Sequence, residues 1–418
     1  MNERIAIFGA GISGRAARRL AESKGHAVAV FDEREAGDAC SFSRSDVEKF
    51  DTFIFSPGFA AEHPWRIATQ DSGKPVFSEL GYGARHWPGK IIGVTGTNGK
   101  TTVTELLTAA FCGAGFSVFA AGNIGRPLCD LACGPEAAAE SYAVCEISSF
   151  QAELPAGLQL DGLLWTNFAE DHLDRYPSMD AYFAAKANLL QCLKPGVPAE
   201  FGREVRLRLA EIGQLDDAGE RPPPDLGKLD ADSVFRSPPQ SENFSLVAAF
   251  WESLGLPDAA LIEAANCFQL APHRLAAVGR WGGVTFWDDS KATNFHAALA
   301  ALSAMETPVF WIGGGAGKGG DLAAFARALA PRIEAAHLYG ASAETLAAAL
   351  RPHHPRVEIC PRFGDAVEGA TRAALEASPA TVLLSPGFAS FDQFSSYAER
   401  GKSFIYKVLS LKNAASTD

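Results

Sequence analysis

The chain has 418 residues, of which 47% are hydrophobic and 21% are charged, values that suit a globular protein of two or three domains with sizeable cores. Its net charge of −12 argues against a general nucleic-acid-binding protein, and no apolar run is long enough to cross a membrane. The N-terminal residues lead directly into a predicted strand, so we expect no signal peptide and a cytoplasmic location. The eight cysteines lack the paired spacing of a zinc site, which predicts buried free thiols, with Cys145 and Cys267 as examples.

A glycine-rich turn follows the first predicted strand. Residues 4–9 read as this strand, residues 9–14 spell GAGISG, and a helix is predicted from residue 15 to residue 23. A second strand, residues 27–31, ends at Asp32, whose distance from the turn completes a dinucleotide-binding pattern. The residues alone therefore predict an NAD site, although the same turn can hold other nucleotides or diphosphates at a helix N-terminus.

A second turn ends the third predicted strand, residues 52–56. The tripeptide Ser56-Pro57-Gly58 lies at the carboxyl end of that strand, where ligands of open α/β sheets collect. Taken alone, such a tripeptide is more often a plain turn without a ligand.

The clearest motif runs from Ile91 to Thr102 and reads IIGVTGTNGKTT. It combines the end of an apolar strand, a glycine loop, a Lys-Thr pair and the start of a predicted helix, which is the layout of a phosphate-binding loop. In such a loop the backbone N–H groups surround an anion, Lys100 reaches the outer phosphates and Thr101 offers its hydroxyl to Mg²⁺. Val94 stands where the common pattern has a glycine. The residues predicted to bind ATP here are Gly96, Thr97, Asn98, Gly99, Lys100, Thr101 and Thr102.

Three ionisable residues downstream of this loop are candidates for metal chemistry. Glu146 ends the apolar strand of residues 142–145, so its carboxylate is well placed to hold Mg²⁺ beside the phosphate loop. His172 lies among carboxylates in the string NFAEDHLDRY, and Lys186 lies on a helical pattern. By themselves, such a histidine is usually a surface feature and such a lysine is usually a solvated charge.

These motifs together resemble those of the Mur ligases, a family of ATP-dependent amide-forming enzymes of peptidoglycan synthesis with relatives that act on folate. The resemblance covers nearly the whole chain and is weakest between residues 195 and 242. Its main elements are the strings TGTNGKT, EISSFQ, NFAEDHLDRY, PHR, DDSKATN and SPGFASFDQF. It implies an α/β fold in three domains: a Rossmann-like domain at residues 1–88, a central phosphate-loop ATPase domain with a parallel-rich sheet at residues 89–270, and a second Rossmann-like domain at residues 271–418.

The resemblance also implies roles for individual side chains. Two Mg²⁺ ions are expected to be held by Thr101, Glu146, His172 and a carbamylated Lys186. The expected catalytic residues are Lys100, Glu146, His172 and Lys186. Further ATP contacts are expected from Asn243, Arg274, Asp289 and Lys291. The UDP part of the substrate is expected to contact Gly11, Ile12, Ser13, Asp32, Arg34, Ser56, Gly58 and Asn123. The acceptor amino acid is expected to contact Thr293, Lys318, Ser390 and Tyr397.

The reaction that the resemblance implies is ATP-dependent amide-bond formation through an acyl phosphate. The string SPGFASFDQF is typical of the family member that uses D-glutamate, so the expected substrates are UDP-N-acetylmuramoyl-L-alanine and D-glutamate. We expect a monomer that acts on small molecules and has no nucleic-acid or membrane partner. The alternatives are a ligase of the same family with another acceptor, an NAD-binding oxidoreductase or sensor built on GAGISG, and a relative that binds nucleotide without turnover.

Overall fold

The computed structural model describes residues 2–34, 37–215, 219, 224–305 and 307–415. The chain forms two compact units. The first consists of Met1–Phe168, Ser178–Arg236 and Gln240–Phe268. The second consists of Ala169–Pro177, Ser237–Pro239 and Gln269–Asp418.

The first unit begins with a four-stranded parallel sheet in the order β2-β1-β3-β4. Its strands are β1 (Arg4–Phe8), β2 (Ala27–Phe31), β3 (Thr52–Phe55) and β4 (Val76–Ser78). Its helices are α1 (Ile12–Ser23), α2 (Pro64–Gln70) and α3 (Glu79–Ala84). Helix α1 begins three residues earlier than predicted, inside the GAGISG turn. Gly14 makes this early start possible, because a Cβ atom there would lie 1.7 Å from the carbonyl oxygen of Gly9.

A five-stranded parallel sheet in the order β6-β7-β5-β8-β9 completes the first unit. Its strands are β5 (Lys90–Thr95), β6 (Val118–Gly122), β7 (Tyr142–Glu146), β8 (Gly162–Trp165) and β9 (Ala199–Phe201). Its helices are α4 (Lys100–Gly113), α5 (Leu128–Cys133), α6 (Ser149–Ala152), α7 (Met179–Ala187), α8 (Arg203–Glu211), α9 (Gln240–Ser253) and α10 (Asp258–Cys267). Apolar side chains of α4, α9 and α10 pack on one face of this sheet and form its main core.

The stretch from residue 200 to residue 241, predicted to be a reduced edge of the sheet or a loop, is partly regular. Strand β9 forms the sheet edge, helix α8 follows it, and two short 3-10 helices lie at Leu226–Lys228 and Val234–Arg236. Helix α9 begins five residues before the predicted Ser245. The acidic pair at 216 and 217 and the prolines at 222 and 223 lie outside the described residues.

The second unit contains a six-stranded sheet in the order β10-β11-β15-β12-β13-β14. Strands β10 and β11 pair in antiparallel fashion, and the other neighbours pair in parallel. The strands are β10 (Ala276–Trp281), β11 (Val284–Asp288), β12 (Val309–Gly314), β13 (Ala335–Tyr339), β14 (Val357–Ile359) and β15 (Ala380–Leu384). The helices are α11 (Phe295–Ser303), α12 (Leu322–Leu329), α13 (Ala343–Leu350), α14 (Phe363–Glu376) and α15 (Tyr397–Ala415). Two apolar clusters, one on each side of the sheet, form the core of this unit.

The predicted fold class, α/β with parallel-rich sheets, is confirmed. Each of the three sheets lies within one of the ranges predicted as domains, and the first compact unit holds two of them. The division at residues 88 and 270 stays a prediction. No helix among the described residues combines the length and the apolarity needed to cross a membrane.

Contacts between the elements of the first two sheets hold the first unit together. Arg66 on α2 donates to the carboxylate of Glu153 at 2.6 Å, and both side chains are buried. Glu79 at the start of α3 accepts a hydrogen bond from the backbone N–H of Cys129 on α5. The expectation of buried thiols is right for Cys145 on β7 and wrong for Cys267, because Cys267 ends α10 on its exposed side.

Candidate active site

The phosphate loop joins β5 to α4 and brings its own polar groups together. Gly99 precedes the helix with φ +81°, a left-handed conformation that glycine adopts without strain. The side chain of Lys100 folds back over the loop, and its Nζ donates to the carbonyl oxygens of Gly96 at 2.9 Å and Thr97 at 2.8 Å. The cation is therefore held at the rim of the loop where an anion would be bound by the helix N-terminus.

Thr101 and Glu146, two of the predicted magnesium ligands, are in direct contact. The Thr101 hydroxyl donates to Glu146 Oε2 at 2.8 Å, and the Asn123 amide donates to Glu146 Oε1 at 2.7 Å. The Glu146 carboxylate lies at the end of β7 and is almost completely buried. Hydroxyl and carboxylate oxygens are hard donors of the kind that Mg²⁺ prefers, so this group of residues fits the expected ion. Asn123, predicted as a contact of the UDP substrate, is a neighbour of this carboxylate.

Lys186 lies in the same region and is not a solvated lysine. It is 1% exposed, and its Nζ lies 2.9 Å from the carbonyl oxygen of Gly96 and 3.4 Å from Thr95 Oγ1. The ammonium group also lies 5.0 Å from the centre of the Tyr182 ring, one helical turn earlier on α7. The Tyr182 hydroxyl is 3.3 Å from Thr97 Oγ1. The structure thus places the predicted lysine against the phosphate loop.

Two asparagines support the loop from neighbouring segments. Asn167 Oδ1 accepts a hydrogen bond from the backbone N–H of Asn98 at 2.9 Å. Asn243, a predicted ATP contact, is buried next to the loop, since a Cβ atom on Gly99 would lie 2.4 Å from its Oδ1. Its Nδ2 donates to Gln240 Oε1. Asn243 therefore reaches the phosphate loop, as predicted for an ATP contact.

The GAGISG turn brings several predicted substrate contacts to one end of the first sheet. Gly11, Ile12 and Ser13 form the start of α1, and the Ile12 side chain is exposed. Asp32 Oδ2 accepts from the backbone N–H of Ala10 at 2.7 Å, and its Oδ1 accepts from the backbone N–H of Arg34 at 2.9 Å. These hydrogen bonds lower the pKa of the Asp32 carboxyl. Asp32 therefore shapes the turn itself.

Ser56 and Gly58 lie in the neighbouring turn after β3. Ser56 Oγ is buried without a hydrogen-bond partner among the described residues, and a Cβ atom on Gly9 would lie 2.6 Å from it. The two turns are therefore adjacent, as expected for strands that end at the same edge of a parallel sheet.

In the second unit, Lys318 and Thr293 meet in a small pocket. Lys318 Nζ lies 3.2 Å from Asp171 Oδ1 and 3.4 Å from Thr293 Oγ1, and the Asn294 amide donates to Asp171 Oδ2 at 3.1 Å. Burial works to raise the pKa of Asp171, but the charges of Lys318 and His172 and the hydrogen bonds hold that pKa below its ordinary value. The pocket is lined by Glu170, Asp171, Thr293, Asn294, Phe295, Lys318, Gly319, Gly387 and Phe388.

His172 belongs to the second unit, whereas Glu146 and Lys186 belong to the first. Its backbone has φ +57°, and its N–H donates to the Asp171 carboxylate at 2.9 Å. A left-handed conformation at a non-glycine residue is uncommon and persists when the surroundings fix it. A shared metal site of these three residues stays a prediction.

Arg274 lies in a loop between two residues that have positive φ. His273 has φ +67° and Leu275 has φ +47°. Asp289 holds this loop, because its Oδ1 accepts from the Leu275 N–H at 3.0 Å and its Oδ2 accepts from the Ser385 hydroxyl at 2.7 Å. Burial raises the pKa of Asp289 to about 7. The carboxyl predicted to contact ATP therefore already supports the loop that carries Arg274.

The remaining predicted residues of the second unit lie around the start of α15. Lys291 Nζ lies 4.0 Å from the centre of the Tyr397 ring, a cation–π contact. Ser390 is buried in the loop after β15, and its carbonyl oxygen accepts from the backbone N–H of Phe394. Lys291 and Tyr397 are therefore neighbours, although they were predicted to bind different substrates.

Arg400, which was not among the predicted site residues, connects these loops. It is fully buried and donates to the hydroxyl and the carbonyl oxygen of Ser290, to the Tyr339 hydroxyl and to the carbonyl oxygen of Phe388. The strings DDSKATN and SPGFASFDQF are thus joined by one guanidinium group.

Comparison with known proteins identifies the family. Residues 94–199 match the Mur ligase middle domain, and residues 273–388 match the Mur ligase glutamate ligase domain. The UDP-N-acetylmuramoylalanine–D-glutamate ligase of Gloeobacter violaceus is 32% identical over 97% of this chain and 99% of that protein. The enzyme of the same name from Sphingopyxis alaskensis is 32% identical over 98% of this chain and 97% of that protein. The chain belongs to the Mur ligase family.

A solved structure of the same fold is that of a pseudomurein peptide ligase type C from Methanothermus fervidus. It is 16% identical, covers 97% of this chain and 100% of that one, and superposes with a TM-score of 0.58. This likeness shows the fold alone.

Membership of the Mur ligase family confirms the predicted ligase class, and it does not favour the NAD-binding alternative. The residues around the site that the sequence did not single out are Tyr182, Asn167, Asp171, Asn294 and Arg400. Asn167 and Asp171 lie in the string NFAEDHLDRY, and Asn294 lies in DDSKATN. Tyr182 lies one helical turn before Lys186. For these four residues, the available signal was their closeness in sequence to a predicted residue. Arg400 belongs to a string, ERG, that also resembles the family, but its role could not be predicted because most of its partners lie far away in sequence.

Proposed function

We propose that this Mur ligase joins D-glutamate to UDP-N-acetylmuramoyl-L-alanine with ATP, in the cytoplasm and as a step of peptidoglycan synthesis. The observation that carries the proposal is the likeness to proteins named for this reaction, which runs through 97% of the chain. The matches to the two Mur ligase domains, residues 94–199 and 273–388, include the phosphate loop with Lys186 and the Lys318 pocket. No second function is favoured by a particular contact.

The first step activates a carboxylate, which is a poor acyl donor. A carboxylate oxygen of the L-alanine residue attacks the γ-phosphorus of ATP, the bond to ADP breaks, and an acyl phosphate forms. Lys100 and the backbone N–H groups of the loop are proposed to hold the phosphates, with Arg274 adding a second cation. Positioning and electrostatic stabilisation of the transferred group supply most of the catalysis in such reactions.

Thr101 and Glu146 are proposed to hold one Mg²⁺, and His172 with carbamylated Lys186 a second. Bound divalent cations neutralise charge on the phosphoryl oxygens. The burial of Lys186 against Gly96 supports this role, since carbamylation needs the neutral amine, and burial favours the neutral form of a lysine. Asn123 is proposed to orient Glu146 through the bond to Oε1.

In the second step the amine of D-glutamate attacks the acyl carbon and phosphate leaves. We propose that Lys318 and Thr293 bind a carboxylate of D-glutamate, with Ser390 and Tyr397 near its side chain. Asp171 holds the end of the Lys318 side chain in the pocket through the contact at 3.2 Å. The diphosphate of the other substrate is proposed to lie at the start of α1, by Gly11, Ile12 and Ser13, with Asp32, Arg34, Ser56 and Gly58 around it.

The test is phosphate release from ATP and Mg²⁺ with each substrate alone and with both together, followed by mass spectrometry of the product. We expect release to require both substrates and the product to be heavier by one glutamate residue. Replacement of D-glutamate by L-alanine or L-lysine tests other amine acceptors, and replacement of the UDP substrate by a folate, with glutamate as the amine, tests the folate-ligase alternative. Release with one of these and not with D-glutamate would overturn the proposed acceptor, and no release with any combination would overturn the proposed reaction.

A further inference from the structure

A cluster of three potential metal ligands lies at the edge of the sheet in the second unit, away from the residues discussed above. Strands β13 and β14 pair in parallel, and His337 lies opposite Glu358 in the register. Cys360 follows Glu358 by two residues, so all three side chains point to the same face of the sheet. Helix α14 covers that face, and Cys360 packs in its apolar cluster.

The distances within this cluster suit a shared ion. His337 Nδ1 lies 3.2 Å from Glu358 Oε2, and the ligand atoms of all three residues lie within 4.8 Å of one another. Ligand atoms around a tetrahedral zinc ion are separated by roughly 3.3–3.8 Å, given zinc bond lengths of about 2.0–2.3 Å. The separations in this cluster therefore exceed those of a zinc site by no more than about 1 Å, and the Glu358 side chain, which is 55% exposed, has room to adjust.

His337 is the residue that most needs an explanation. It is 4% exposed, Nδ1 has only the Glu358 carboxylate at 3.2 Å beside it, and Nε2 has no hydrogen-bond partner among the described residues. Buried polar groups of native proteins almost always have a partner, and an ion shared with Glu358 and Cys360 would give the ring one. Helix α14 presents Gly369 to the ring, and a Cβ atom there would lie 3.0 Å from Nδ1. The glycine leaves the space that an ion and its ligands require.

We propose that His337, Glu358 and Cys360 bind a divalent cation of the zinc class, with water as the fourth ligand on the exposed side of Glu358. Nitrogen, sulfur and oxygen ligands together select zinc-like ions, whereas magnesium prefers oxygen ligands alone. The thiolate and the carboxylate contribute two negative charges, which exceed the single positive charge of nearby Arg372. The ion would tie the three-residue edge strand β14 to β13 beneath α14, so its role is structural.

Cobalt(II) is the probe for this site, because its absorption spectrum reports both a thiolate ligand and tetrahedral geometry. The full chain is titrated with cobalt(II) in excess Mg²⁺, which occupies oxygen-only sites. We expect one cobalt(II) per chain, a thiolate-to-cobalt charge-transfer band, and displacement by zinc(II). The band should disappear in Cys360→Ser and persist in Cys192→Ser, a control at another buried cysteine.

The variant Glu358→Gln provides a second test, and it changes an exposed side chain rather than a buried one. Loss of this ligand should weaken cobalt(II) binding at least about tenfold, since even residues that only orient metal ligands contribute that much. Zinc(II) should raise the midpoint of thermal unfolding of the unmodified chain and not that of Glu358→Gln. Any one of three results would overturn the proposal and leave a plain buried His337–Glu358 contact. The unmodified chain could show no charge-transfer band, the band could persist in Cys360→Ser, or Glu358→Gln could bind cobalt(II) with unchanged affinity.

Discussion

Glu146→Gln removes one charge from the phosphate-loop site while it keeps the size and shape of the side chain. In the structure both carboxylate oxygens are used, one by the Thr101 hydroxyl at 2.8 Å and one by the Asn123 amide at 2.7 Å. The glutamine amide can satisfy both neighbours, because the Thr101 hydroxyl can accept as well as donate. We therefore expect the variant to fold and to fail in catalysis.

The two expected magnitudes differ widely. In the variant, each of the two hydrogen bonds loses its charge-assisted part, about 1 kcal/mol. The neutral amide in turn avoids the cost of a buried charge. Because these effects oppose each other, the free energy of unfolding should change by no more than about 1 kcal/mol. That corresponds to a change of at most about 3 °C in the thermal midpoint. By contrast, loss of a preorganised electrostatic group typically lowers kcat by about 10²–10³-fold, or ~3–4 kcal/mol of barrier.

The assay is the initial rate of phosphate release with both substrates, measured over a range of Mg²⁺ concentrations, together with the thermal midpoint. The matched control for the rate is Glu79→Gln, at a buried glutamate of the same compact unit that contacts Cys129 and lies outside the proposed site, whereas the thermal midpoint is compared with that of the unmodified enzyme. If Glu146→Gln kept its rate within about threefold of the unmodified enzyme, the role of Glu146 in electrostatic stabilisation would be wrong. A large fall in thermal midpoint would instead show that Glu146 acts on the fold.

Three further outcomes follow from the same contacts. Lys186→Ala should lower ligation at least about a hundredfold without recovery in excess bicarbonate, and full activity in the phosphate-release assay would refute the metal-support role. Burial raises the pKa of Glu79 in the native state from 4.5 to about 7. Between these two pH values the native carboxyl is protonated and the unfolded one is not, so the free energy of unfolding falls as the pH rises. Relative to the unmodified chain, Glu79→Gln should therefore gain up to about 3 kcal/mol between pH 5 and pH 8, and thermal midpoints that do not diverge would contradict this. Lys318→Met should raise the KM for D-glutamate at least about tenfold and leave the KM for ATP nearly unchanged, and the reverse pattern in steady-state kinetics would place Lys318 elsewhere.

The phosphate loop could be predicted from the sequence because its parts are consecutive in the chain. Strand β5, the glycines, Lys100 and helix α4 occupy one uninterrupted stretch, and their arrangement follows from local backbone preferences. The strands predicted at residues 4–9, 27–31, 52–56 and 142–145 agree with the observed bounds to within one residue for the same reason, since buried parallel strands read as short apolar runs. The early start of α1 was missed because it depends on the close approach of Gly14 to Gly9.

The contacts of the site could not be predicted in this way, because they join distant parts of the chain. Lys186 meets Gly96 across 90 residues, and Lys318 meets Asp171 across 147. Periodicity indicates which face of a helix is buried but not which loop that face will meet. Lys186 illustrates the limit: its position on a helix alone indicates a solvated charge, and only the family resemblance indicated otherwise.

Asp32 and Asp289 show why the residues expected to contact ligands also hold loops. Each carboxylate accepts a backbone N–H from the loop that carries a neighbouring predicted contact, Arg34 in one case and the segment of Arg274 in the other. A carboxylate oxygen has two lone pairs, so a bond to the loop leaves room for a ligand hydroxyl on the same oxygen. A loop that is already held by its own carboxylate loses less conformational freedom when the substrate binds, and more of the contact energy remains as affinity. The same side chain can therefore serve the fold and the ligand, and its removal should affect both together.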